Sequence, residues 1–78
     1  MYAMDIVKQI AEQQGIPITR VGVEMGKSRQ YVHGLMQHGS TPRCDTMARM
    51  LDVCGYALVA VPRDSVPSDA LVIDGGEG

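Results

Sequence analysis

The sequence predicts a mainly helical domain of four short helices followed by a C-terminal antiparallel β-hairpin, and three observations carry that expectation. Apolar residues recur at helical spacing across residues 3–14 and again across residues 44–53. Glycines stand just past the expected helix ends, at Gly15, Gly26 and Gly55, where a stop that tolerates positive φ is needed. After Gly55 the pattern changes to a continuous apolar run over residues 56–61, closed by Pro62, which reads as a strand.

The first helix is expected over residues 3–14, with Ile6, Val7, Ile10 and Ala11 on one face and Asp5 in the first turn. Pro17 opens the second, where its missing N–H costs nothing; Val21, Gly22 and Met25 form the inner face and Gly26 ends it. Ser28 is a suitable N-cap for a third helix over residues 29–37. Gly39, Ser40, Thr41 and Pro42 make a loop. The fourth helix carries Cys44, Met47, Ala48, Leu51 and Cys54 along one stripe. A strand at residues 56–61, a turn-rich loop and a strand at residues 70–74 form the expected hairpin, and residues 75–78 a frayed tail. The division is therefore a helical core, residues 1–55, a hairpin serving as dimerisation element, residues 56–74, and a tail.

A chain of 78 residues makes one small domain. No apolar run approaches the roughly 20 residues of a membrane helix, and the N-terminal residues lack the basic and apolar regions of a secretory signal. A cytoplasmic protein is expected. Cys44 and Cys54, ten residues apart on one helix, would lie roughly 15 Å apart, too far for a disulfide; both are read as core positions. His33 and His38 are five apart, off the spacing of paired zinc ligands on a helix, and no nucleophile–base arrangement or phosphate loop occurs. Neither an enzyme nor a cofactor or metal site is expected.

The formal net charge of −2 conceals an uneven distribution: residues 16–43 carry a local +3 and residues 56–78 a local −3. A local basic face is what binding to nucleic acid requires. The second and third helices, joined by a tight break containing glycine, form a helix-turn-helix arrangement. Gly22 is the small residue where the helices cross, and Val21, Met25, Val32 and Leu35 stand where they can pin the pair.

In these residues the chain resembles the Cro/repressor (XRE-like) helix-turn-helix family. Val21-Gly22-Val23-Glu24-Met25-Gly26-Lys27-Ser28-Arg29-Gln30-Tyr31-Val32 is similar to that family's Leu-Ala-x-x-Leu-Gly-x-Ser-x-x-x-Ile, and Pro42 through Leu51 to Gly55 is similar to its later Pro and Leu-Gly stretch. The resemblance covers residues 16–55 and implies a lambda-repressor-like core that binds double-stranded DNA. The chain departs from the family at Ile18, often a phosphate-binding Gln, and at Met36-Gln37-His38-Gly39, one residue longer than the usual Glu-Asn-Gly. Expected strands also replace the usual fifth helix.

On the third helix, Arg29, Gln30, His33 and Gln37 fall within a stripe roughly 100° wide. Arg and Gln are the residue types that read guanine and adenine edges, and the resemblance places the start of this helix in the major groove. These four are the expected base contacts. Lys27, Ser28, Tyr31, Ser40, Thr41 and Arg43 flank them as expected phosphate contacts; Tyr31 fits equally well in the core. Both faces of the run 56–61 are apolar, so Tyr56, Leu58, Val59, Val61, Leu71 and Ile73 are expected to form a homodimer interface. The competing partner for that surface is another protein, such as a toxin. The functional expectation is a dimeric repressor of phage, mobile-element or antitoxin type. Its rival is a protein-interaction module that keeps the helix-turn-helix fold without binding DNA.

Overall fold

In a computed structural model, described over residues 2–39 and 41–73, four α-helices form: α1 (Ala3–Gln14), α2 (Ile18–Glu24), α3 (Tyr31–Gln37) and α4 (Cys44–Val53). α1 packs on α4, and α2 packs on both α3 and α4. The core joins Ile6, Val7, Ile10 and Ala11 of α1 to Val21, Val32, Met47, Met50, Leu51 and Cys54. Met50 is the largest side chain wholly withdrawn from solvent. The spacing of Met47, Met50, Leu51 and Cys54 is that of one helical face, so α4 buries a stripe set three residues later than one beginning at Cys44. Cys44, at the start of α4, is exposed and Cys54 alone is buried; both thiols are free.

Three of the helices end in the same way. Beyond α2, the Lys27 N–H donates to the Gly22 carbonyl (2.9 Å) and the Gly26 N–H to the Val23 carbonyl (3.0 Å), with Gly26 at φ 78°. This pair of bonds satisfies carbonyls that the helix leaves open, and it needs a residue at ease with positive φ. The equivalent bonds close α1 at Gly15 and α4 at Gly55. The third helix starts two residues later than its Ser28 cap predicts. Gln30 occupies the N-cap position with no side-chain bond, because the Ser28 carbonyl, not its hydroxyl, accepts the Tyr31 N–H at 3.2 Å and makes a turn there. Pro17 likewise precedes α2 as its N-cap.

The C-terminal β-hairpin does not form. Among the described residues there is no strand; after α4 the only regular element is a short 3-10 turn at Arg63–Ser65. The expected turn-rich loop holds two successive turn bonds, Ser65 N–H to the Pro62 carbonyl and Ala70 N–H to the Pro67 carbonyl, and the second of them takes up Ala70, where the second strand was expected to begin. An apolar run of this length is equally compatible with a segment laid over a core. That is what it does here: Leu58 and Leu71 pack against the core, half-buried. Together with Ile6, Ile10, Met47 and Leu51 they line a groove of about 720 Å³. Asp74 and the expected tail lie outside the described residues.

Candidate nucleic-acid interface

The α2–α3 unit is assembled around a backbone contact. A Cβ placed on Gly22 would stand 2.6 Å from the Ser28 carbonyl oxygen and 3.5 Å from the Tyr31 Cβ. Only a residue without a side chain lets the turn over residues 25–30 fold this closely onto α2. Val21 and Val32 are fully buried between the helices, with Met25 and Leu35 packed half-buried around them. The Gln30 carbonyl accepts the Gly34 N–H at 2.8 Å and so commits the chain to α3.

This assembly presents the expected base-reading residues as follows. Arg29 and Gln30 lie in the turn that enters α3, not on the helix itself, and both are exposed. His33 and Gln37 are exposed on α3, four residues apart and hence on one face. None of the four side chains makes a hydrogen bond or ion pair with the rest of the described chain.

The flanking residues divide into free and engaged. Lys27 holds its Nζ 5.6 Å from the centre of the Tyr31 ring, within range of a cation–π attraction. Tyr31 is half-buried and packs against the core, the second of its two expected placements. Ser28 and Thr41 are exposed, and Ser40 lies outside the described residues. Arg43 sits with its Nε 3.5 Å from Asp45 Oδ1, both side chains well exposed. Sequence reasoning did not single out a second pair, Arg20 Nε to Glu24 Oε2 at 2.8 Å on α2. Its i, i+4 spacing is the signal that would have found it.

At the C-terminal end, Tyr56, Val59, Val61 and Ile73 are exposed, Val59 the most at 71%, while Leu58 and Leu71 are turned to the core. Burial pushes the Cys54 thiol above its ordinary 9.0, and the Glu24 carboxylate adds to the shift. No group of three or more His, Cys, Asp or Glu side chains is arranged to hold a metal among the described residues. No helix among them is long and apolar enough to cross a membrane.

Comparison with known protein families, with curated proteins and with solved structures finds no match to this chain.

Proposed function

We propose that the chain is a sequence-specific double-stranded DNA-binding transcriptional regulator, a repressor of phage, mobile-element or antitoxin type that acts by occupying its site. One observation carries this reading: Arg29 and Gln30 in the turn entering α3, and His33 and Gln37 on α3, are exposed and unengaged in a helix-turn-helix unit whose approach is set by the Gly22–Ser28 backbone contact. Side chains that read base edges need free donors and acceptors on a rigid mounting. Arg29 and Gln30 suit guanine and adenine, while Lys27, Ser28, Thr41 and Arg43, exposed before and after α3 along the chain, suit phosphate.

A second reading, an interaction module that does not bind DNA, has one observation in its favour. Of the four cations between residues 16 and 43, Arg20 and Arg43 already face carboxylates. Both pairs are exposed, and exposed pairs are worth little, so a phosphate can displace Asp45 from Arg43 at small cost. Titration of a labelled mixed-sequence duplex, followed by fluorescence anisotropy at rising salt, separates the two. The DNA-binding reading expects affinity at low salt that falls linearly in log K against log salt. No binding at low salt would leave the interaction module.

A further inference from the structure

Among the described residues, one glycine has no steric reason within the fold. Gly15, Gly26, Gly39 and Gly55 take positive φ, and the space beside Gly22 is filled by the Ser28 carbonyl. Gly34 does neither. It stands inside α3 without positive φ, and a Cβ built on it would meet nothing within 4 Å. Glycine in a helix interior lowers stability relative to alanine, and no contact inside the fold offsets that loss.

Gly34 lies on the side of α3 away from the core. Tyr31, Val32, Leu35 and Met36 pack inward. At 3.6 residues per turn, Gly34 stands about 160° around the helix from the fully buried Val32. It shares the outward face with the exposed His33 and Gln37. Gln30 stands one turn before it, its carbonyl bonded to the Gly34 N–H at 2.8 Å, and Gln37 follows on the next turn. Two exposed amide side chains therefore flank a stretch of bare backbone, open by about the depth of one methyl group.

We propose that this gap sets specificity: the C5 methyl of a thymine fills the space that a side chain at Gly34 would take, between the bases met by Gln30 and Gln37. The inference rests on the DNA-binding reading above. An α-helix with its side chains is about 10–12 Å across and the major groove about 12 Å wide, so a side chain missing from the leading face lets the helix seat deeper. Polar base edges find no partner at the gap. The Gly34 N–H is held by the Gln30 carbonyl, and the Gly34 carbonyl accepts the His38 N–H at 3.1 Å. What remains is an apolar Cα surface, and the thymine methyl is the apolar group that a base presents in the major groove.

The test sets a methyl removed from DNA against a methyl added to the protein. The probe is the duplex that wild type enriches from a random pool, with each thymine replaced in turn by uracil. At one position the replacement should weaken wild-type binding about fourfold, the loss of one buried methyl. Gly34→Ala puts its Cβ where that methyl sits. It should bind the thymine duplex about tenfold more weakly than wild type and recover most of that loss on the same uracil duplex. Its far-UV circular dichroism and its binding to mixed-sequence duplex should match wild type, which a merely structural effect would not allow. Equal binding of the thymine duplex by wild type and Gly34→Ala, or a loss that no uracil position restores, would overturn the methyl contact and leave the DNA-binding reading standing. Failure of wild type to enrich any site would overturn both.

Discussion

The Gly22 Cα and the Ser28 carbonyl oxygen approach so closely that a single added carbon on Gly22 would lie 2.6 Å from that oxygen. The obstacle is backbone, already held by the Lys27 N–H to Gly22 bond and by the turn to Tyr31, so it cannot swing aside as a side chain would. Gly22→Ala must therefore push α3 away from α2. The expected cost is about 1–3 kcal/mol, seen as a fall of about 5 °C or more in the thermal midpoint. An unchanged midpoint would mean that the turn relaxes freely and does not set the helix pair.

Gly34 is the counterpart within α3. A Cβ there meets nothing within 4 Å, and the residue sits in the interior of a seven-residue helix. Gly34→Ala should stabilise the chain by about 0.5–1 kcal/mol, because alanine favours the helix. Urea unfolding followed by circular dichroism gives the sign directly, and destabilisation would contradict the open space beside Gly34.

Cys54 makes stability depend on alkaline pH. Its thiol lies above the ordinary 9.0 in the folded chain, first through burial and then through Glu24. The folded state therefore holds the proton more tightly than the unfolded state does. Stability from this group is complete below the unfolded value and is lost as pH climbs through the folded one. Unfolding midpoints measured from pH 7 to pH 10.5 should decline at the alkaline end, and Cys54→Ala should flatten that decline while lowering stability throughout by leaving a small cavity. An equal alkaline slope in both proteins would remove Cys54 as its cause.

α1 and α4 were legible to the residue because their apolar faces repeat over several turns and each is followed by a glycine stop. The start of α3 was not, since Ser28 carries the signature of a side-chain cap while the chain uses its carbonyl for a turn. Cys44 entered the expected stripe by spacing alone. Periodicity specifies a face but not how far along the helix its neighbours cover it, and the buried face begins at Met47. The hairpin failed for a related reason: an apolar run states that a segment seeks cover, not that it finds a strand partner. In the helix pair, the small residue at Gly22 marked the helix crossing, whereas the contact itself is with the Ser28 backbone and has no side-chain signal. The exposure of Arg29, Gln30, His33 and Gln37 was legible from their types, but the placement of the first two in the entering turn was not.

Lys27 and Arg43 test the phosphate contacts. Both are exposed beside α3 and its following loop, so Lys27→Ala or Arg43→Ala should weaken binding to all duplexes similarly and lower the salt slope by about one unit each. Arg43 must first leave Asp45, so Asp45→Asn should strengthen binding to any duplex without altering sequence preference. Slopes equal to wild type in both alanine variants would place these side chains away from the backbone of DNA.

Selection of preferred duplexes from a random pool, run in parallel with wild type, Arg29→Ala and Gln30→Ala, addresses the reading of DNA most directly. Wild type should enrich a defined site. Each variant should lose about 1–3 kcal/mol on that site and relax its preference at one base position, with thermal stability unchanged. Failure of wild type to enrich any sequence at low salt, or enrichment of the same site with equal affinity by both variants, would contradict the assignment of Arg29 and Gln30 as the residues that read it.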